Sequence, residues 1–426
     1  MRDESPRRTI LAVSQVYPPD PASLGQHLSD AAIALARRGH DVTVFTASRG
    51  YDDPSRRYVG AESVAGVRIR RFPLSSFGKR SLVTRLAGGI SFVVQAVWHG
   101  LRMRRVDTVL ITTSPQVAGV AGIVLAWLKG ARLVYWVMDL NPDQAIALGI
   151  ANHSSLWVRA YDAMNRLVLK RADAVVAMDR FMARRLTSKV DVGGRMHIIP
   201  PWPHEDHITP LHHYESSFRA AHGLRDKFVV MYSGNHTLAN PLRTVINAAL
   251  ALQHDPRFAF VFIGGGTARA EVEQSGAINI RCFPFEQLDA VSHSLAAADL
   301  HVVTMGNDMV GILHPCKVYG AFAASRPILY VGPVESHVGE LLAAGNFGWR
   351  AAHGDVDATV KAIREAAALD AHELADMGAH ARAYIRARLS KERLCVAFCD
   401  VVAGAGDRSV PLVGPRTTRF QTSSSG

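Results

Sequence analysis

Apolar runs of strand length alternate with longer helical patterns along almost the whole chain, and the alternation occurs twice. In the first half the strand-like runs are TILAVSQVY (9–17), DVTVFTA (41–47), VRIRRFPL (67–74), DTVLITTS (107–114), RLVYWVMD (132–139) and AVVAMD (174–179). Between the first two, LGQHLSDAAIALARRGH (24–40) has helical periodicity and ends at Gly39. Strands apolar on both faces, joined by helices, describe a doubly wound parallel sheet, because helices cover both faces. The segment IIPPWPHEDHITPLHHYE (198–215), with four prolines, interrupts the rhythm. It restarts with KFVVMYSG (227–234), FAFVFIGGG (258–266), INIRCFPF (278–285), LHVVTM (300–305) and PILYVG (327–332).

The expected architecture is therefore α/β, with two Rossmann-like domains in tandem. The first covers residues 1–200, a linker 201–225, the second domain 226–390, and a C-terminal helix with a polar tail 391–426. A chain of 426 residues suits this division. Only 20% of its residues are charged, too few for extensive disorder.

The net charge of +11 is placed unevenly. Residues 1–200 carry 28 Lys and Arg against 15 Asp and Glu, whereas residues 201–426 carry 20 against 22. A basic first domain suits an anionic membrane or a phosphorylated substrate. Nucleic acid is not expected, since no reading helix or aromatic platform accompanies the charge. Cys282, Cys316, Cys395 and Cys399 have no histidine at zinc-ligand spacing and read as reduced and buried. His204, His207, His212 and His213 read as a solvated linker, so no metal is expected. No signal peptide is visible and no segment offers 18 uninterrupted apolar residues. The expectation is a cytoplasmic protein, at most peripheral on the inner face of the membrane.

Open parallel sheets bind ligands beyond the carboxyl ends of their strands. In the second domain these loops hold YSGNH (232–236), GGGTAR (264–269), FPFEQL (283–288), the HPCK run (314–317) and GPVESH (332–337). Gly234 allows close backbone approach, and Asn235 and His236 bring polar side chains. Gly265 lies in a glycine run that fails the dinucleotide pattern, because Arg269 stands where its last glycine belongs. Pro315 suits the first position of a helix, whose free amides would favour an anion, and Lys317 adds a full charge. The other reading of Lys317 is a surface lysine lying along a buried helix. In the first domain, Gly25 and His27 open the first helix, TTSPQ (112–116) carries Ser114, and WVMDLNPDQAIALG (136–149) carries Asp139 and Asp143. Either aspartate could serve the cleft or simply cap a helix.

The ordered set YPPDPASLGQHLSDAAIALARRGHDVTVFTA, WVMDLNPDQAIALG, YSGNH, FVFIGGG, LAAADLHVV and PCKVYGAFAASRPILYVGP resembles the GT-B glycosyltransferases. It is most similar to the retaining family of bacterial glycogen synthase and phosphatidylinositol mannosyltransferase, in its polysaccharide-assembly subgroup. The resemblance implies that the second domain grips a nucleotide-diphosphate sugar and the first binds the acceptor, with no metal or other cofactor. It implies transfer of a hexosyl or N-acetylhexosaminyl group with retained configuration. Lys317 and neighbouring amides would meet the diphosphate, with Gly25, Gly234 and Asn235 near it, and Phe283 to Phe285 near the base. Asp139 would act as base or acceptor orienter, and His27 and Ser114 would lie toward the acceptor. Two places depart from the family. Ile312 and Gly320 replace a pair of glutamates, and Asn235 and Ala239 or Asn240 stand near the places of an arginine and a lysine. Tyr319, Glu335 or Ser336 would then take the ribose. A sugar-nucleotide epimerase, or an inactive sugar-nucleotide-binding protein, are the competing readings.

RSLVTRLAGGISFVVQAVWHGLRMRR (80–105) is an apolar helix with arginines at both ends. It reads either as an ordinary sheet-covering helix or as one that dips into an anionic bilayer. With the basic first domain, it suggests a polyprenyl-diphosphate-linked saccharide as acceptor.

Overall fold

A computed structural model describes residues 6–50, 53, 55–75, 82–203, 208–287 and 289–405. His204, His207 and the polar tail lie outside the described residues. The first domain runs β1 (Thr9–Val13), α1 (Ser23–Arg37), β2 (Asp41–Ala47), β3 (Ala61–Val64), β4 (Val67–Phe72), α2 (Leu82–Leu101), β5 (Thr108–Thr112), α3 (Ala118–Lys129), β6 (Arg132–Trp136), α4 (Asp143–Ala147), α5 (Leu156–Arg171), β7 (Ala174–Ala177), α6 (Arg180–Lys189) and β8 (Met196–Ile198). The second runs α7 (Ser217–Ala221), β9 (Phe228–Ser233), α8 (Arg243–Ala251), β10 (Phe258–Ile263), α9 (Arg269–Glu273), β11 (Ile280–Phe283), α10 (Val291–Ala296), β12 (Leu300–Thr304), α11 (Lys317–Ala323), β13 (Ile328–Val331), α12 (His337–Ala344), β14 (Gly348–Ala351), α13 (Val356–Ala368) and α14 (Ala371–Arg388). A last helix, α15 (Lys391–Ala403), follows.

The first sheet has the order β3-β4-β2-β1-β5-β6-β7-β8 and the second β11-β10-β9-β12-β13-β14. Every pairing is parallel except the β3–β4 hairpin at the edge. Strand order reverses between β1 and β5 in one sheet and between β9 and β12 in the other. Loops leaving these strands are where a parallel sheet opens a crevice. The apolar runs overshoot the strands at their carboxyl ends. The run at 9–17 stops at Val13, that at 132–139 at Trp136 and that at 258–266 at Ile263. The extra residues turn out of the sheet and build the cleft.

Helix α15 returns to the first domain and packs on α1. Phe398 lies 4.3 Å from Trp136 and 5.9 Å from Trp202, and Asp400 pairs with Arg38 at 2.8 Å. Trp202 belongs to the segment leaving the first domain, so the two crossings of the chain meet in one aromatic cluster. Between the domains, the Leu140 amide donates to Ile312 O at 3.0 Å, and Arg185 donates to Val310 O at 3.3 Å. No helix among the described residues is long and apolar enough to cross a membrane.

Candidate active site

In the second domain, the loops after β9 and β10 interlock. Gly234 has φ +132°, and its amide donates to Ile263 O at 2.8 Å. A Cβ on Gly264 would stand 2.2 Å from Gly234 O, and one on Gly266 2.3 Å from Asn235 Oδ1. Only glycine fits this approach, and that is the use of the glycine run. Gly265 lies between them, with its carbonyl accepting the His236 amide at 2.7 Å. Arg269 does not face a ligand: it hydrogen-bonds the carbonyls of Gly264 and Phe283 and pairs with Glu273 at 2.7 Å. Asn235 is exposed above this platform. His236 is fully buried, with Nδ1 3.2 Å from Gly265 O, and thus braces the loop from beneath. The two phenylalanines part company. Phe285 is 60% exposed and lies over Gly264 and Gly265, an open aromatic face at the rim. Phe283 packs instead against Phe218 and His222, with ring centroids 5.0 and 4.4 Å away.

Lys317 is the first residue of α11, and Pro315 lies two residues ahead of it rather than inside the helix. The expected row of free amides is reduced. The N–H groups of Cys316, Val318 and Tyr319 close local turns onto His314, Pro315 and Cys316 carbonyls. The lysine side chain runs back toward β9. Its Cε lies 2.5 Å from where a Gly234 Cβ would stand, and its ammonium is 5.2 Å from the Tyr232 ring centroid. No hydrogen bond or ion pair engages that ammonium among the described residues, and burial pushes its pKa down to about 8. A desolvated cation without an anion is costly and marks a place for one.

Across the cleft, Asp139 follows β6, and its amide donates to Thr113 Oγ1 at 3.3 Å. The residue is solvent-exposed, yet protein surrounds it on most sides, and that desolvation raises its carboxyl to about 6. Its carboxylate has no partner among the described residues. The Cys316 thiol, pushed up to about 12 by burial, feels the charges of both Lys317 and Asp139. Both residues thus lie near Cys316, where the loop before α11 meets the loop after β6. Asp143 has a different role. It opens α4 and is bound by Lys189 at 2.8 Å and Arg185 at 3.4 Å, so its charge is neutralised inside the first domain.

Three other residues from the first domain are placed as follows. Gly25 is buried where a Cβ would meet the Tyr17 backbone at 3.1 Å; its close approach is to its own chain, not to a ligand. His27 is buried, with Nδ1 2.8 Å from Ser23 O and Nε2 2.9 Å from Trp202 O. Burial lowers its pKa, and its ring ties the first helix to the departing chain at Trp202. Ser114 is half-buried in the loop beside β1, its carbonyl accepting the Gln15 amide at 2.6 Å, with its hydroxyl unengaged.

Two of the three candidate ribose ligands are otherwise occupied. Ser336 caps α12: it accepts from the Gly339 amide at 3.1 Å and donates to Pro333 O at 2.8 Å. Tyr319 lies inside a buried chain that joins the domains. His314 Nδ1 is 2.8 Å from Asp179 Oδ2, His314 Nε2 is 2.7 Å from Tyr319 Oη, and Tyr319 Oη is 2.9 Å from His337 Nε2. Asp179 also caps α6 through the Met182 amide at 2.8 Å. With Asp179 ionised, every proton in the chain has an acceptor: His337 to Tyr319, Tyr319 to His314, His314 to Asp179. The third, Glu335, is exposed and has no hydrogen bond or ion pair among the described residues. Sequence reading missed Asp179, His314 and His337, although His314 opens the HPCK run; its partner is 135 residues away.

On its inner side α2 buries Phe92 and Ala96. On its outer side Leu86, Ile90, Val94, Trp98 and Leu101 are exposed at helical spacing, and the neighbouring α3 exposes Val120, Trp127 and Leu128. The helix thus both covers the sheet and presents an apolar stripe. No group of side chains suited to a metal ion occurs among the described residues.

Residues 24–202 match the model of a glycosyl transferase 4-like domain. The putative colanic acid biosynthesis glycosyl transferase WcaI of Escherichia coli K12 is 27% identical over 415 residues, spanning 93% of this chain and 100% of that protein. Among solved structures, sucrose-phosphate synthase from Thermosynechococcus elongatus aligns with a TM-score of 0.72 at 16% identity, covering 92% of this chain and 97% of that one. HepE of Anabaena, in complex with UDP and glucose, aligns with a TM-score of 0.68 at 16% identity, covering 93% of this chain and 100% of that one. The fold is GT-B, with two Rossmann-like domains facing across the cleft described above.

Proposed function

We propose that the chain is a glycosyltransferase that moves a sugar from a nucleotide-diphosphate sugar to a hydroxyl of a lipid-linked saccharide in cell-surface polysaccharide assembly, a reading supported by its GT-B fold and its similarity to glycosyl transferases. The observation that carries this reading is the Lys317 ammonium, without a hydrogen bond or ion pair among the described residues, set beside the interlocked glycine loops of the second domain. The acceptor oxygen attacks the anomeric carbon as the bond from that carbon to the phosphate oxygen breaks. The nucleoside diphosphate leaves with the bonding electrons, and Lys317 offsets the charge that develops on it. The hydroxyl proton passes to Asp139, whose pKa near 6 suits a base at neutral pH. Attack from the side of the leaving group retains configuration. Phe285 would offer its open face to the base, and the exposed Asn235 and Glu335 would serve the donor's remaining hydroxyls. UDP-sugars are the first donors to try, because HepE was solved with UDP. The role of WcaI in colanic acid biosynthesis supports a polysaccharide setting. The basic first domain and the apolar stripe on α2 support a peripheral position at an anionic membrane, where a polyprenyl-diphosphate-linked acceptor would be presented.

Purified protein would be given UDP- or GDP-sugars with and without a polyprenyl-diphosphate-linked saccharide, and nucleoside diphosphate release measured. Release that needs the acceptor, and that falls at least ~100-fold in Asp139→Asn, is the expected result. Donor binding without release under any acceptor would reduce the protein to a binding module. Acceptor-independent release with free sugar would favour an epimerase.

A further inference from the structure

The parallel strands of such a sheet are normally covered on both faces. Under α2 the cover stops short. Phe72 is roofed by Phe92 and His99, with ring centroids 5.5 and 5.3 Å away. Beyond it the same face of β4 continues through Arg70 and Arg68, beside Phe45 and Thr43 of β2. These residues floor an open recess of about 950 Å³, and His99 and Arg102 at the end of α2 form one wall. Both arginines are exposed on this floor, open to an anion that enters the recess.

Their charges are not equally satisfied. Arg68 is held by Asp41 at 2.5 Å. Arg70 has no hydrogen bond or ion pair among the described residues. The Arg102 guanidinium meets only Trp98, 3.3 Å from its carbonyl and 3.5 Å above its ring. His99 faces both guanidiniums, and its buried Nδ1 has no partner. Desolvation and then these two positive neighbours hold its pKa below the usual value. Trp98 and Leu101, one turn from Arg102, belong to the exposed apolar stripe. An apolar surface and a recess with two unpaired arginines thus meet at one edge.

We propose that this recess seats the phosphate of an anionic phospholipid. Arg70 and Arg102 grip the phosphate diester, His99 takes a further oxygen, and Trp98 and Leu101 enter the boundary between headgroups and acyl chains. The proposal rests on the reading of the first domain as membrane-facing, and it names the lipid headgroup site within that face. This site is separate from the cleft that holds donor and acceptor.

Full-length protein would be floated with vesicles of phosphatidylcholine alone and with added phosphatidylglycerol. Wild type is expected on the anionic vesicles. Arg70→Gln with Arg102→Gln should weaken that binding roughly 10- to 100-fold. A charge-matched control in the second domain, Lys361→Gln with Arg364→Gln, should change it less than about 3-fold, and all variants should keep donor binding. Ile90→Ser with Val94→Ser, on the same stripe but away from the recess, tests the membrane reading by itself. Vesicle binding that the stripe pair weakens but the recess pair leaves unchanged overturns the headgroup site while the membrane reading stands. No binding of wild type to anionic vesicles overturns both. If millimolar inorganic phosphate shifts the His99 ring resonances as vesicles do, the site is a general phosphate site and the lipid assignment falls.

Discussion

Lys317 stands at the end of a helix least hospitable to a cation, and half-buried besides. Its chain leans over Gly234 toward Tyr232, and no carboxylate answers it among the described residues. Lys317→Met should therefore separate binding from folding. Nucleoside diphosphate affinity should fall roughly 10- to 100-fold by titration calorimetry, the loss of a charge-assisted contact. The melting temperature should hold or rise, because a desolvated charge has gone. Unchanged affinity would remove Lys317 from the donor site. The same residue-scale argument applies to Asp139. Its folded pKa of about 6 lies above the ordinary 3.8, so the folded state holds the proton more tightly. Its contribution to stability is full below pH 3.8 and is lost as the pH rises through about 6. Asp139→Asn lacks that loss, so its melting temperature should gain on wild type between about pH 4 and 7, while turnover collapses. The acid limb of the wild-type rate profile should lie near pH 6. That Lys317, Gly234 and Asp139 lie in or just after loops at the carboxyl ends of strands was legible in the sequence, because strand-end loops and glycine placement announce themselves locally. His27 and Ser336 were not: a polar residue beside a cleft looks the same in sequence whether it faces ligand or carbonyl.

The loop from β12 to α11 explains why Lys317 lies where it does. Gly311 has φ +71°, and a Cβ there would strike Phe181 O at 2.6 Å, so the loop seats against the start of α6. His314 locks that seat onto Asp179, and Tyr319 and His337 complete the chain. Burial keeps His337 neutral, at a pKa of about 3. Tyr319→Phe would leave ring nitrogens of both His314 and His337 buried without their partner. Each such orphan costs about 1–3 kcal/mol, so a stability loss of about 2–6 kcal/mol is expected in urea titration. Donor affinity should change less than about 3-fold. A weak-binding but stable Tyr319→Phe would restore the tyrosine to the ribose. At this scale the buried strands were readable, since β5, β10, β12 and β13 are wholly apolar in their surroundings. Strand β3 was not, because all four of its residues are exposed, and β8 spans only three residues. A contact 135 residues long leaves no periodic trace.

At the scale of the whole molecule, the chain passes between the domains twice, and both passages are tied at one place. Trp202 leaves the first domain under the His27 clamp, with Trp136 stacked 5.9 Å away. Helix α15 comes back and sets Phe398 against both indoles, while Asp400 holds Arg38, Lys391 holds Asp30 at 3.1 Å, and Val401 O accepts from Arg132. The first domain is therefore completed by residues almost 200 positions beyond its own last strand. That dependence was invisible in the apolar rhythm, which marks α15 as a helix but not as part of the first domain. The burial of Phe398 is complete, and the rings around it are nearly so. Phe398→Ala should cost about 3–5 kcal/mol, the range for deleting a core aromatic. The loss should be local in an informative way. Hydrogen exchange should rise in α1, in β2 beside it and in β5 beneath α15, while the strands of the second sheet keep their protection. Because the clamp also sets where the domains are joined, turnover should fall more than donor affinity, which depends on the second domain. If exchange rises instead across α13 and β14 and leaves α1 protected, α15 belongs energetically to the second domain, and the first domain stands without it.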